Sequence, residues 1–287
     1  NNFMYLVQGV VAERITKKSW EENIQEHFFK PLGMVRSNLT VTELEQSNNR
    51  AVGYQLLDNG ELRKMDYDLT VISPAGGVNS TATELANWLK VWINNGVFNG
   101  EQILPEQFIN DAISSQSIIT PALPNGVRSD MFFLNYGYGW MISSYRGHYR
   151  VFHGGNLDGF TSDLAFFPSD NIGIIVLTNQ ENSSLPDLVR NTIADRLIDE
   201  DKIDWAEDYI EELQLLKLEM EESKKHLFEL DAKYTSPSHK LEFYQGNFCN
   251  PSSGRFKITA KGDSLFANFK MKTFYLKHVH YDVFQPI

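Results

Sequence analysis

The sequence has one cysteine, few basic residues and no long apolar run, and each shortage excludes a class of protein. Cys249 cannot form a disulfide within the chain, so we interpret it as a small, buried apolar side chain. No stretch of about 18 apolar residues is present, and no membrane-spanning helix is therefore predicted. Lys and Arg number 26 against 37 Asp and Glu, and the resulting net charge of -11 argues against binding to nucleic acid phosphates.

The chain does contain enough apolar material for a folded core. Hydrophobic residues make up 42% of the 287 positions and aromatic residues 13%, sufficient for one large core and a smaller second one. The N-terminal stretch NNFMYLVQGVVAER carries its charge after the apolar residues, the reverse of a secretory signal. It is typical of an internal segment, and we expect further sequence before residue 1.

Capping residues and apolar spacing predict helices in the first half of the chain, over residues 2–18, 19–29, 80–96 and 105–115. The second begins with Ser19 and Glu22, the Ser-x-x-Glu pattern in which each residue caps the other. The third follows the sequence PAGG, which predicts a tight loop, and Ser80 or Thr81 is available to cap it. Residues 35–72 are interpreted as short strands and turns.

Strand patterns dominate from Tyr136 onward. Four apolar runs separated by Gly, Asn and Asp predict an antiparallel meander, which a helix at 186–199 closes. We therefore predict an α/β (α+β) fold with an antiparallel sheet flanked by helices, followed by a small all-β domain. The predicted parts are a main domain over 1–200, an acidic helical linker over 201–240 and the small β domain over 241–287.

The stretch VFHGGNLDGF contains the candidate site residues. His153 stands near the end of a strand-like run and is followed by Gly154 and Gly155, which expose bare backbone. Such backbone lets a substrate strand pair with it, or lets an N–H group approach a developing oxyanion. Taken alone, the stretch is more typical of a hairpin with a half-buried histidine. Asp158 and Asp163 are interpreted as turn and strand-edge residues.

The order of motifs resembles a known family. A helix opening at Asn2 is followed by FFKPLGM, PAGGVNSTATELANWL, YGYGW, HGGNLDGF and LAFFPSDNIGIIVLTN. This order resembles the later two thirds of the serine β-lactamase and penicillin-binding-protein superfamily, in the branch of class C β-lactamases, D-aminopeptidases, DD-carboxypeptidases and related esterases. The resemblance covers residues 1–197 and implies no cofactor. The tail resembles the small β domain often appended to this branch.

The resemblance also implies roles for individual residues. The family carries a nucleophile motif Ser-x-x-Lys, a second motif Tyr-x-Asn and a third motif, Lys-Thr-Gly or His-x-Gly. The third motif matches His153, Gly154 and Gly155, so His153 would support proton transfer and hold the substrate's carbonyl or anionic group. The N–H group of Asn156 would form one side of the oxyanion hole. Asn2 matches the end of the second motif and would hydrogen-bond the substrate amide or the catalytic lysine.

Two elements of the family pattern are missing. No Ser or Thr is followed three positions later by Lys, and the tyrosine of the second motif would stand just before Asn1. We therefore expect a C-terminal portion of an extracytoplasmic, for instance periplasmic, serine hydrolase that is inactive alone. The whole protein would act on a β-lactam, a D-amino-acid peptide or an ester through an acyl-enzyme. The loop at 117–130 and the PAGG region would shape its pocket, and the absent segment or a second chain would cover the sheet.

Three other interpretations remain open. A hydrolase triad built on His153 would require a nucleophile elbow such as Gly-x-Ser-x-Gly, which is absent. His278 and His280 alternate along a strand and would face one side, but two imidazoles without a third ligand are a weak metal site, so no metal is predicted. A non-catalytic, penicillin-binding-like protein that binds a ligand or partner would differ only in residues outside 1–287.

Overall fold

The computed structural model describes residues 1–57, 59–66, 73–120, 132–231, 235–250, 254–269 and 273–286. The chain divides into two compact units, Asn1–Ala206 and Glu207–Ile287. The predicted mixture of helices and antiparallel sheets is confirmed. In the part of the chain that is described, no helix is both long enough and apolar enough to cross a membrane.

The helices of the first unit follow the capping signals of the sequence. They are α1 Asn2–Thr16, α2 Trp20–Ile24 with a π-helical continuation Gln25–Phe29, α3 Val41–Gln46, α4 Ser73–Gly76, α5 Ala82–Ile93, α6 Glu106–Ala112 and α7 Leu185–Leu197. The capping box of α2 is present, because Ser19 accepts from the Glu22 amide at 3.1 Å and donates its own amide to the Glu22 carboxylate at 2.7 Å. Thr81, one of the two candidates, caps α5.

Two segments differ from the sequence-based expectations. Helix α3 lies within the region interpreted as strands and turns, and its cap is Thr40, whose hydroxyl accepts from the Glu43 amide at 3.1 Å. The predicted tight loop at PAGG is instead the single helical turn α4. Both helices are short, so apolar periodicity gave no signal for them.

The main sheet has six antiparallel strands in the order β10-β9-β8-β7-β6-β5. The strands are β5 Ser117–Thr120, β6 Leu134–Tyr136, β7 Met141–Tyr145, β8 His148–Leu157, β9 Phe160–Phe167 and β10 Ile172–Thr178. Two-residue turns join β7 to β8 and β8 to β9, each containing a glycine at positive φ, Gly147 and Gly159. Small hairpins are formed by β1 Tyr54–Leu56 with β2 Leu62–Lys64, and by β3 Val97–Phe98 with β4 Glu101–Gln102.

Helices cover both faces of this sheet. On one face Val151 and Phe166 are fully buried in a cluster with Trp92 of α5. On the other face Tyr145 is buried with Ala194 of α7. Strand β8 is packed through Val151 into the first of these apolar clusters, which fixes the position of the segment that contains His153.

The second unit is built on a five-stranded antiparallel sheet in the order β11-β12-β13-β14-β15. Helix α8, Trp205–Asp231, begins in the first unit and continues into the second, and a 3₁₀ turn, Leu241–Tyr244, precedes the sheet. The strands are β11 Gly246–Asn250, β12 Gly254–Lys261, β13 Ser264–Asn268, β14 Thr273–His280 and β15 Val283–Pro286. The predicted burial of Cys249 is wrong, because this residue lies on the edge strand β11 and is exposed.

Gly9 determines how closely α1 approaches α4. A Cβ atom on Gly9 would stand 2.6 Å from Cγ of Pro74, a separation that requires the helix to move. We expect Gly9→Ala to lower the free energy of unfolding by up to about 2 kcal/mol, since overpacking costs about 1–3 kcal/mol and alanine's helix propensity returns about 1 kcal/mol. Chemical denaturation measures the change, with exposed Gln8→Ala on the same helix as control. Equal stability of the two variants would contradict the close contact.

Candidate active site

His153 lies where β8 extends beyond its neighbour β7. Pairing with β7 ends at Phe152 opposite Met141, whereas pairing with β9 continues to Leu157. In an antiparallel strand, the backbone N–H and C=O groups of successive residues point alternately to the two neighbouring strands. Those of Gly154 and Asn156 point to the β7 side, where β7 has already ended. The predicted oxyanion donor, the N–H group of Asn156, therefore points away from β9.

A chain of three hydrogen-bonded side chains reaches this segment. The hydroxyl oxygens of Tyr5 and Tyr136 are 2.9 Å apart, and the Tyr136 hydroxyl is 3.0 Å from Nε2 of His153. On the other side of the ring, Nδ1 of His153 is 2.6 Å from the carbonyl oxygen of Gly154. Neither tyrosine was predicted as a site residue, so the site contains two polar residues that the sequence-based prediction missed.

The direction of these hydrogen bonds follows from the groups involved. A carbonyl oxygen only accepts, so Nδ1 of His153 carries the hydrogen, and Nε2 of the neutral ring is an acceptor. The Tyr136 hydroxyl therefore donates to Nε2 and accepts from Tyr5. Burial and the Tyr5 hydroxyl raise the pKa of Tyr136 well above its ordinary value, which keeps this donor protonated.

The position of Tyr5 on α1 shows where Asn2 lies relative to the three hydrogen-bonded side chains. Positions three or four apart share a helix face, so Asn2, Tyr5 and Gly9 lie along one side of α1. Asn2 is exposed in the first turn, and the capping role belongs to Asn1, whose side chain accepts from the Phe3 amide at 3.0 Å. The geometry brings α1 to His153 through Tyr5, and the role of Asn2 stays a prediction.

The side chain of Asn156 ties β8 to the segment after β10. Its oxygen accepts from the Thr161 hydroxyl at 2.9 Å and from the Asn182 amide at 2.7 Å, and its nitrogen donates to the Asn182 side chain at 2.7 Å. Three bonds to two neighbouring segments hold the backbone at this position. A rigid backbone N–H group is what oxyanion stabilisation requires.

The predicted pocket walls are only partly described. Leu157, at the end of β8, lies 3.5 Å from the position of a Cβ on Gly76 of α4, so the PAGG segment adjoins the tip of the β8–β9 hairpin. Of the predicted pocket loop 117–130, the first four residues form β5, and 121–130 lie outside the described residues.

Asp163 is not a strand-edge residue as predicted. It lies opposite Gly154 on the interior strand β9 and is 3% exposed. Its Oδ2 atom is 2.7 Å from Nη1 of Arg190 on α7, whereas its Oδ1 atom is buried and has no hydrogen-bond partner among the residues that the structure describes. Arg150, also buried, stacks over Tyr145 at 4.7 Å from the ring centroid. A charged layer therefore underlies the bare segment of β8.

Burial outweighs the attraction of Arg190 and raises the pKa of Asp163 to about 6, from 3.8 in the absence of the fold. The folded state therefore binds a proton that the unfolded state does not bind between about pH 4 and 6. We expect the stability of the wild type, relative to Asp163→Asn, to rise by about 2 kcal/mol as the pH falls through this range. Urea denaturation at several pH values measures the difference. A fall in relative stability would mean that Arg190 dominates.

The two histidines of the alternative metal site lie on an irregular part of strand β14. The pairing of β14 with β15 is irregular between His278 and His280, and Nε2 of His278 lies 2.7 Å from the carbonyl oxygen of Tyr281. Across the described residues there is no group of three or more His, Cys, Asp or Glu side chains that could hold a metal ion.

Sequence comparison identifies relatives of both parts of the chain. The beta-lactamase family profile matches residues 1–198, and a domain of unknown function, DUF3471, matches residues 230–286. Protein flp of Staphylococcus aureus strain MW2 is 26% identical over 194 residues, which are 67% of this chain and 35% of that protein. Beta-lactamase-like protein 1 of Dictyostelium discoideum is 25% identical over 196 residues, 62% of this chain and 30% of that protein. The chain thus spans about one third of the length of these relatives.

Solved structures share the fold at low sequence identity. The octameric penicillin-binding protein homologue from Pyrococcus abyssi has a TM-score of 0.61 and 22% identity, covering 99% of this chain and 57% of that one. A D-stereospecific amidohydrolase from Streptomyces sp. has a TM-score of 0.53 and 18% identity, covering 63% and 50%. Since the family profile spans 198 of the 287 residues, the chain belongs to the beta-lactamase family.

Proposed function

We propose that residues 1–287 form one wall of the active site of a serine hydrolase or acyl-transferase. The observation that carries the proposal is the hydrogen-bonded chain of Tyr5, Tyr136 and His153, which ends at the carbonyl of Gly154 beside uncovered backbone. Proton transfer and oxyanion stabilisation are the two functions that an acyl-transfer site requires near the attacked carbonyl. Family membership supports the reaction class.

In the proposed mechanism, a serine outside residues 1–287 attacks an ester, amide or β-lactam carbonyl. The serine passes its proton to the lysine and tyrosine of the family motifs as its oxygen bonds the carbonyl carbon, and the oxyanion that develops accepts from the N–H group of Asn156. Collapse of this intermediate breaks the bond to the leaving group, which takes up that proton, and gives an acyl-enzyme that water or an amine resolves. Asn2 would hydrogen-bond the substrate amide or the catalytic lysine.

Both ring nitrogens of His153 are engaged, which supports an indirect role for this residue. A proton accepted by the Tyr5 oxygen can pass through Tyr136 to Nε2 of His153, with each hydroxyl giving up one hydrogen as it gains another. The imidazole would then hold the proton while its Nδ1–H group keeps the Gly154 carbonyl in place. His153 therefore supports proton transfer through the two tyrosines, and the substrate contacts the backbone of Gly154, Gly155 and Asn156.

A further segment or a second chain was predicted to cover the sheet, but helices already pack on both of its faces. We propose that this segment or chain packs instead on uncovered apolar surface of α1. Exposed apolar side chains gather along α1, among them Phe3, Met4, Val7, Val11 and Ile15. Contiguous apolar surface of this kind marks an interaction site. The proposed covering segment is the part of the hydrolase that contains the nucleophile, and the proposed location of the whole protein is extracytoplasmic.

Covalent labelling tests the proposal. A fluorophosphonate probe and a fluorescent penicillin are applied to residues 1–287 and to the full-length protein with its upstream sequence. We expect the full-length protein to be labelled and the 287-residue chain to remain unlabelled, because the nucleophile is absent from it. Nitrocefin, p-nitrophenyl esters and D-alanyl peptides then identify the substrate class of the full-length protein.

Two results would overturn the proposal. Labelling of the 287-residue chain would place a nucleophile within it. Failure of the folded full-length protein to react with either probe or any substrate would favour the non-catalytic, ligand-binding alternative.

A further inference from the structure

The sheet segment of the second unit is basic, whereas the chain as a whole is acidic. Residues 235–287 contain seven Lys and Arg against three Asp and Glu, a net charge of +4 in a chain whose total is -11. One face of the sheet is apolar and includes Leu265 and Ala267, which are 2% and 4% exposed. Strand alternation directs the remaining positions outward.

The outward positions carry the cations. Arg255, Lys257 and Lys261 alternate along β12, and Lys277 lies on β14, two strands away, and all four are exposed. On the described strands from β11 to Lys277 of β14, none of the outward positions is acidic. The nearest acidic residue in sequence is Asp263, in the turn between β12 and β13.

An aromatic pair stands among these cations. Phe266 and Tyr275 are directly opposite each other on β13 and β14, with ring centroids 5.8 Å apart, and Tyr275 is 42% exposed. The Lys261 ammonium lies 6.0 Å from the centre of the Phe266 ring. The four cations and these two aromatic residues are called the basic face below.

The layout of the basic face suits a flat anionic surface and not a small anion held in a pocket. The cations span about 20 Å along β12 and about 10 Å across to β14, from ordinary strand dimensions. Small anions are bound by donors that converge in a cleft. These side chains extend outward from one sheet surface, so a planar array of anions can contact all of them at once.

We propose that the basic face docks this protein on an anionic lipid surface. Each Lys or Arg near such a surface raises the partition constant about fivefold, and exposed aromatic rings settle at the level of the headgroups. Acidic groups more than about 10 Å from the surface are screened at physiological salt. The proposal is independent of the catalytic function.

Vesicle sedimentation tests the proposal with the 287-residue chain. We expect binding to phosphatidylcholine vesicles that contain phosphatidylglycerol, no binding to vesicles of phosphatidylcholine alone, and loss of binding as salt is raised. Lys257→Gln/Lys277→Gln is expected to lower the partition constant about 25-fold. The matched control, Lys64→Gln/Lys202→Gln, removes two exposed lysines of the first unit and is expected to bind as the wild type does.

Circular dichroism and thermal unfolding establish that each variant is folded. Equal binding to neutral vesicles, salt-independent binding or equal loss in both double variants would overturn the proposal. Binding to soluble polyphosphate without binding to anionic vesicles would also overturn it, since the ligand would then be a polymer.

Discussion

Replacing His153 with alanine in the full-length protein is expected to lower kcat/KM by about 10²–10⁴-fold, the usual contribution of a positioned proton-transfer group. The substitution removes the acceptor of the Tyr136 hydroxyl and the donor to the Gly154 carbonyl at the same time. It therefore disconnects the tyrosines from a proton acceptor and frees the backbone beside the proposed oxyanion donor. Steady-state kinetics measures the loss, with whichever of nitrocefin, the p-nitrophenyl esters and the D-alanyl peptides the full-length protein hydrolyses best.

Two further variants separate proton transfer from simple structural support. Tyr136→Phe keeps the ring but breaks the chain, so we expect a loss of about tenfold or more in kcat with a changed pH profile and little change in KM. His148→Ala is the matched control, because His148 lies on the same strand and bonds Asp170 at 2.9 Å, outside the chain of tyrosines. A His153→Ala variant as active as His148→Ala would contradict the assignment of His153.

Removing Arg190 is expected to destabilise the first unit by about 3–5 kcal/mol, the usual result when one partner of a buried ion pair is lost. In Arg190→Met the carboxylate of Asp163 keeps its 3% exposure and loses the guanidinium at 2.7 Å. Its other oxygen has no hydrogen-bond partner among the described residues, so Arg150 would be the cation left to oppose the charge. Urea denaturation measures the change in the free energy of unfolding.

A double variant identifies the cause of this loss. Arg190→Met/Asp163→Asn removes the buried charge together with its partner and is expected to recover at least half of the lost stability. The control is Arg196→Met, which removes an exposed arginine of the same helix and should change stability by less than about 0.5 kcal/mol. No recovery in the double variant would mean that Arg190 acts mainly through packing.

Much of the fold could be predicted because its signals are local. The capping box of Ser19 and Glu22 and the cap at Thr81 are read from residues three apart, and both caps are present. The strands β7 to β10 follow glycine, asparagine and aspartate turns that the sequence displays directly. The strand pattern around His153 also predicted correctly that this residue lies on a strand, next to backbone that β7 does not cover.

The missed features depend on partners far apart in sequence. Tyr5 and Tyr136 are 131 residues apart, and their contact requires α1 to lie against the end of the sheet. Tyr136, the first residue of YGYGW, and Tyr5, three residues after Asn2, are both present in quoted motifs, but nothing local indicated that their hydroxyls meet. Asp163 was misplaced for a similar reason, because burial of its carboxylate depends on Arg190 of α7, a partner 27 residues away in sequence.

The arrangement of β6 to β10 also has a consequence for folding kinetics. Each of these strands pairs with its neighbour in sequence, and short turns make the connections. Closing such short loops loses little chain entropy, so contacts of this kind form quickly. We expect these hairpins to form early and the Tyr5–Tyr136 contact to form late, so that the bare end of β8 exists before α1 docks beside it.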